Sequence, residues 1–447
     1  MSEICPIPGA DDYRLVFLRS GSLLTFQDGL GLRLPRLVIS RRTRPVEQLQ
    51  RSIKETWQLD AIVLELLREQ ESSKRLAIIE ILASESCRNM TTASLDQVSE
   101  VDLNATERRV IERIMAGLHE SGRPFARLGW MEDALEWLRT EAPEETSPTL
   151  NIRQFSAGGT FALIRFAFHS GATFWMKATG EPNRHEFCVT RKLAQVCPEF
   201  LPPRIAERED WNAWLMVDAG LPLDTWRLSA VELALRSMSA LQQMTIGLTD
   251  EFIEQGASDQ RIHVLREHLT ELVEYIGETM RRQTSTKVPQ IEPDRLSQLG
   301  GILRDACFRL EDLEIPDTVI HNDINPGNVL FNGARCVFTD WCETGIGNPF
   351  FTLHHLCRLR CDGRDRSISN SREIYKKCWV RHLTEKQIDL AVPLIPLLSI
   401  LSYFYGRGTW LRSPQRTDPH VESYARSLAR HMDRAAQDPE LLEALCR

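Results

Sequence analysis

The stretch His321-Asn322-Asp323-Ile324-Asn325-Pro326-Gly327-Asn328, followed by Thr339-Asp340-Trp341, constrains this chain more than any other. Pro326 and Gly327 permit a turn between Asp323 and Asn328. The apolar runs Val329-Leu330-Phe331 and Cys336-Val337-Phe338 flank Asn332-Gly333, a strong hairpin signal. Asp340 is therefore expected at the end of a strand, back beside the loop that carries Asp323. One short loop and the next strand can then hold a base and two oxygen ligands.

That set suits phosphoryl transfer. Moving a phosphoryl group from ATP needs a carboxylate near the acceptor hydroxyl, and oxygen ligands that hold magnesium against the triphosphate. Asp323 is the candidate base. Asn328 can turn its side-chain oxygen toward a metal from the same loop, and Asp340 supplies the second ligand. Asp and Asn are also ordinary turn formers, which would explain single positions but not two fixed spacings.

These residues resemble the aminoglycoside phosphotransferase and choline kinase-like family, whose pattern is His-x-Asp-x4-Asn, a hairpin, then Asp-Trp/Phe-x5-Gly-x-Pro. Asp340 to Gly347-Asn348-Pro349 fits the second half completely. The resemblance covers roughly residues 150 to 430 and implies an α+β, bilobal protein-kinase-like fold with a small β-rich lobe and a large helical lobe. It implies Asp323 as catalytic base, Asn328 and Asp340 as Mg2+ ligands, ATP as cofactor, and His321 as a residue that braces the loop. Thr352 stands where the family often has an aspartate after Gly-x-Pro.

A kinase needs a smaller lobe upstream, with a strand-borne lysine for the phosphates and a helix glutamate that holds it. Phe155-Ser156-Ala157-Gly158-Gly159-Thr160 reads as a turn before the β-rich run 161–168. Its adjacent glycines let backbone amides at Ser156, Gly158 and Gly159 approach phosphate oxygens. Residues 173–178 alternate like a strand, with Lys177 on one face. Asn183 can cap a helix over 184–196, where Glu186, Thr190, Leu193 and Val196 recur near helical spacing. Glu186 is then the partner for Lys177. Trp214 to Gly220 looks like the strand and hinge that end the small lobe, and the resemblance implies that adenine meets the backbone at Met216, Val217 and Asp218.

Composition narrows the class. With 447 residues, 42% of them hydrophobic, the chain can bury two or three cores. Its net charge of −8 and lack of a basic run argue against nucleic acid as a partner. Eleven cysteines at irregular spacing, without a Cys-x-x-Cys pair, suit reduced thiols in a cytoplasmic enzyme. His354, His355, Cys357 and Cys361 cluster in sequence, but a single helix cannot close a tetrahedral zinc shell. The N-terminus lacks an export pattern, and the apolar run 390–405, shorter than the ~20 residues of a membrane span, reads as a core helix.

Residues 1–140 are expected to form a separate small α+β domain. Strands fall at 13–18, 22–26 and 37–40 with a turn at Gln27-Asp28-Gly29, a helix at 46–59, and further β-like stretches at 61–67 and 75–83. Arg51, Ile53, Glu55 and Leu59 fall where the end of a Nudix box has Arg, apolar, Glu and apolar residues. Ser52, Thr56 and Gln58 stand where that motif wants two glutamates and a glycine, which argues against metal-dependent diphosphate hydrolysis. The domain reads as a noncatalytic interaction or sensing module, a docking point for a second copy of the chain or another protein. Helices follow at 103–118 and 130–138, the second burying Trp130, Ala134, Trp137 and Leu138 on one stripe. The polar segment 141–149 reads as a linker into the small lobe at 150–218, and 219–447 as the large lobe.

The acceptor is a small molecule bearing a hydroxyl, in family terms an amino-sugar, amino-alcohol or sugar. A long amphipathic helix over 263–282 carries Glu267, Glu271, Glu274 and Glu278 away from its apolar stripe, and Tyr403, Tyr405 and Trp410 are candidate pocket residues. Two functions follow: a small-molecule kinase, or a kinase-fold nucleotide-binding regulator with little turnover. The complete set of Asp323, Asn328 and Asp340 favours the enzyme, because a binding module needs no base.

Overall fold

The computed structural model describes the chain apart from residues 1–8, 20, 29–30, 42–43, 69–73, 84–89, 118–123, 145–149, 224–227, 332, 334, 358–366, 408–413 and 447. Gly29, Asn332, Cys361, Trp410 and most of the expected linker thus lie outside the described residues. The chain forms two compact units, one of 1–187 with 203–218 and one of 188–202 with 219–447.

Unit 1 holds two sheets. The first contains β1 (Ala10–Arg19), β2 (Ser22–Asp28), β3 (Gly31–Arg33), β4 (Arg36–Ser40), β5 (Asp60–Arg68), β6 (Lys74–Ala83) and β7 (Thr91–Ala93), ordered β3-β2-β1-β6-β5 with β4 on β1 and β7 on β2. Helix α1 (Pro45–Trp57) buries Val46, Leu49 and Ile53 on it. Helix α2 (Ala105–Met115) starts at a capping box in which Asn104 and Glu107 satisfy each other's backbone amides. Helix α3 (Trp130–Glu141) buries the stripe read from sequence, with Met131 added. The second sheet is antiparallel: β8 (Leu150–Ser156), β9 (Phe161–Phe168), β10 (Thr173–Thr179), β11 (Arg204–Arg208) and β12 (Ala213–Val217), ordered β11-β12-β10-β9-β8.

The boundary placed at 141–149 falls inside this unit, because both sheets share one apolar core. Val16, Ile62 and Ile78 from the first sheet and Ile164, Met176 and Leu215 from the second belong to it. Trp130 and Trp137 of α3 each set their rings edge-on to Trp211, at 6.3 and 6.2 Å. The two sheets also meet edge to edge. Gln154, fully buried on β8, accepts from Val63 N–H and donates to its carbonyl, both at 2.8 Å. Gln50 on α1 accepts from Gln154 N–H and donates to the carbonyls of Ile152 and Ala61. The glutamine amides stand in for the ladder that each edge strand lacks. None of this is visible from hydrophobic periodicity.

A fragment starting at residue 150 would expose this core. We expect it to aggregate when made alone, and Trp130→Ala to cost about 3–5 kcal/mol, read as an unfolding midpoint shift. A monodisperse, folded fragment from 150 onward would contradict the shared core.

Unit 2 is mostly helical. It contains the rest of α4 (Glu186–Val196), then β13 (Leu221–Pro222), α5 (Leu228–Met244), α6 (Thr249–Glu254), β14 (Ser258–Asp259), α7 (Ile262–Glu267), α8 (Leu269–Arg281) and α9 (Pro293–Glu311). There follow β15 (Thr318–His321), β16 (Val329–Phe331), β17 (Cys336–Phe338), β18 (Thr344–Gly347), α10 (Phe350–Cys357), α11 (Ser367–Trp379), α12 (Glu385–Ala391) and α13 (Ile395–Gly406), with two further helices at Pro419–Ala435 and Pro439–Cys446. The helix expected over 263–282 is broken at His268, between α7 and α8, while its inward residues Leu265, Leu269, Leu272, Ile276 and Met280 are all buried. The run 385–406 is helical over 22 residues, with a mean hydropathy of 1.7 over its most apolar 18, long and apolar enough by length and composition to cross a membrane. Its residues Leu397, Leu398, Leu401 and Phe404 are buried in the unit's core, as expected for a core helix.

Candidate active site

The hairpin forms as read. Val329 pairs with Phe338 and Phe331 with Cys336, and Gly333 takes the positive φ of 101° that the turn demands. Asn328 and Thr339 therefore face each other where the strands open, and Thr339 N–H donates to the Asn328 carbonyl at 3.0 Å. Asp340 follows immediately, in left-handed backbone at φ 65° and ψ 66°. A non-glycine residue rarely sits there, and such strain concentrates at functional sites.

The loop before it is tied at each expected residue. His321 is buried, with Nδ1 accepting from Asp323 N–H at 3.2 Å and Nε2 lying 2.9 Å from the Thr339 carbonyl. Those partners place the ring proton on Nε2, so the imidazole clamps loop to hairpin as a neutral brace. Asn328 Nδ2 donates to the Asp323 carbonyl at 2.8 Å and to Asp323 Oδ2 at 3.1 Å. With that nitrogen committed, Oδ1 is the atom Asn328 has for a cation. Asn325 caps the short turn by accepting from Gly327 N–H. A carboxylate and a carboxamide oxygen anchored to adjacent strands are hard donors of the kind magnesium takes, so Asp340 and Asn328 fit that ion.

Glu343, one turn after Asp340, was not singled out from sequence. It pairs with Arg407, whose guanidinium lies 5.0 Å from the Tyr403 ring. Burial pushes the Glu343 carboxyl up, Arg407 opposes this, and Asp323 and Asp340 push it further up. Tyr403 lies beside this group, its hydroxyl 3.0 Å from that of Tyr424. Tyr405 instead sits against His268, and Glu278 of the acidic stripe is paired to Arg416. Thr352, the departure from the family aspartate, is fully buried and its hydroxyl accepts from His321 N–H at 3.1 Å. It anchors the strand leading into the loop without adding a charge.

The small-lobe residues sit in unit 1. Lys177, paired across the sheet with Leu163 and Trp214, is held by Glu186 Oε1 at 2.6 Å from Nζ. Both side chains are buried, at 8% and 2% exposure, so this is an interior ion pair rather than a solvated surface contact. Ser156 ends β8, and Gly158 stands at φ 102°, where an added Cβ would come 3.2 Å from Glu65 Oε1. Gly159 follows in the turn before β9. Met216 pairs with Trp175 and Arg204. The Val217 and Asp218 amides already donate to the Pro203 and Thr173 carbonyls, and Asp218 accepts from Trp175 Nε1 at 2.9 Å. A backbone contact to adenine would fall on other atoms of this segment. The Nudix-like Arg51 and Glu55 line an open groove beside α1 with Glu47, Lys54, Glu132 and Arg139.

A lysine on the third strand of an antiparallel sheet, its glutamate on the following helix, and the loop from His321 to Asn328 in a helical unit match the plan of a protein-kinase-like α+β fold. Residues 191–376 match the model of the phosphotransferase enzyme family. A sequence comparison with curated proteins finds no match. Among solved structures, a choline/ethanolamine kinase family protein from Mesorhizobium loti is 14% identical with a TM-score of 0.46, over 71% of this chain and 98% of that one. A choline kinase from Cryptosporidium parvum gives 13% and 0.48, over 70% and 96%. A macrolide 2'-phosphotransferase from Brachybacterium faecium gives 14% and 0.41, over 69% and 98%.

Proposed function

We propose that this chain is an ATP- and magnesium-dependent phosphotransferase that moves the γ-phosphoryl group to a hydroxyl of a small molecule, with Asp323 as the base. The observation that carries the reading is the Asn328 hydrogen bond to Asp323. It orients the carboxylate and frees the carboxamide oxygen in one contact. Asp323 would accept the acceptor hydroxyl's proton as that oxygen bonds to the γ-phosphorus and the bond from phosphorus to the β-phosphate oxygen breaks, releasing ADP. Asn328 and Asp340 would hold magnesium, which neutralises charge on the triphosphate when bound. Lys177, fixed by Glu186, supplies positive charge to the phosphates. The turn at Ser156, Gly158 and Gly159 offers them backbone amides, and the segment Met216 to Asp218 takes adenine. Acceptors in scope are amino-sugars, amino-alcohols and sugars.

Calorimetry with ATP, in the presence and absence of magnesium, tests this reading beside an acceptor panel read by ADP release. Binding should require magnesium, and Asp340→Asn should weaken it roughly 10-fold or more, because a charged ligand is lost. Equal ATP affinity with and without magnesium, unchanged in Asp340→Asn, would place the nucleotide elsewhere.

A further inference from the structure

We infer that Gln260 is a positioning residue for the catalytic loop, acting on Asp323 through its neighbour Asn322, and that Gly345 and Gly406 are present to admit its side chain; the inference rests on the phosphotransferase reading above. Gln260 follows β14 and is 1% exposed. Its N–H donates to the Ile346 carbonyl at 2.7 Å, continuing the parallel pairing of β14 with β18. Its Oε1 accepts from two donors, Asn322 Nδ2 at 3.1 Å and Ser402 Oγ at 2.7 Å. Asn322 Nδ2 also donates to the Glu343 carbonyl at 3.0 Å. The residue just before the base is thus turned into the protein and held from both sides, once by the segment after Asp340 and once by Gln260.

The glycines show how closely the space is fitted. A Cβ on Gly345 would lie 2.4 Å from Gln260 Nε2, and one on Gly406, at the end of α13, 2.3 Å from it. A Cβ on Gly347, the glycine of Gly-x-Pro, would lie 2.8 Å from the Gln260 carbonyl. Gly345 and Gly406 thus leave room for the glutamine side chain and Gly347 for the backbone carbonyl at 260, in an interior where such overlap cannot be absorbed without displacement. A glutamine serves here because both of its partners donate. An apolar side chain would leave Asn322 and Ser402 short of an acceptor, and a glutamate would add a buried charge.

The test uses Gln260→Ala, Gly406→Ala and the double variant in the full chain. Its readouts are the melting temperature, magnesium-ATP affinity, the rate of ADP release with water as acceptor, and hydrogen exchange of the peptide spanning 321–328. Each single variant should cut ADP release by about 10- to 100-fold, as a misplacement of an ångström does, with ATP affinity within about twofold of wild type. Each should speed exchange in 321–328 more than elsewhere. The double variant should be no worse than Gln260→Ala, because the methyl at 406 enters space the glutamine has vacated. Wild-type exchange in 321–328 for both single variants, or strictly additive losses in the double, would overturn the inference. A wild type that neither binds magnesium-ATP nor releases ADP would instead sink the phosphotransferase reading, and the exchange result would still decide whether Gln260 fixes the loop.

Discussion

Asp323→Asn should lower phosphoryl transfer by about 10²- to 10⁴-fold, the range that a positioned general base contributes. Magnesium-ATP affinity should stay close to wild type, because the base serves the acceptor hydroxyl rather than the nucleotide. The replacement is chosen for the local geometry. Asn328 Nδ2 donates both to the Asp323 backbone carbonyl and to its side chain, so a carboxamide at 323 keeps the shape and the first of these bonds while removing the proton acceptor. Single-turnover kinetics separate the two effects. Wild-type transfer in this variant would remove Asp323 from the chemistry.

Lys177→Met should produce the largest combined loss, in stability and in nucleotide affinity. Lys177 and Glu186 form a buried pair at 2.6 Å, and removing one partner strands the other's charge in the interior, at about 3–5 kcal/mol. The double variant Lys177→Met, Glu186→Gln removes both charges and should regain most of that stability. It should not regain ATP affinity, because the charge for the phosphates is still missing. Denaturant midpoints and calorimetry on the three proteins distinguish these outcomes. Recovery of ATP binding in the double variant would mean that the pair is structural only.

The parts of the site legible in the sequence were those fixed by local spacing. The run from His321 to Asn328, the hairpin and Asp340 lie within a few residues of one another, and turn chemistry alone brings them together. The Lys177 and Glu186 pairing was legible because strand alternation and helical spacing each put one residue on a defined face. What stayed hidden depends on partners far along the chain. Gln260 meets Asn322 across 62 positions and Ser402 across 142, and no periodicity encodes that. Thr352 looked like a missing aspartate, yet its hydroxyl has a defined task at His321 N–H. The joining of the N-terminal sheet to the small-lobe sheet was missed for the same reason. A Pro-containing acidic segment reads as a linker, whereas Gln50, Gln154 and the tryptophans that bridge the two sheets read as unremarkable side chains.

Whether the loop and hairpin in unit 2 carry out phosphoryl transfer with Asp323 as base is decided by following the γ-phosphate itself. Wild type and Asp323→Asn would be incubated with γ-labelled ATP, magnesium and a panel of amino-sugars, amino-alcohols and sugars, and the label traced to products. Wild type should transfer label in a magnesium-dependent way to a hydroxyl of at least one acceptor, and the variant at least about 100-fold less. Equal transfer by both proteins, or no label leaving ATP for any acceptor or water in the wild type, would contradict this reading.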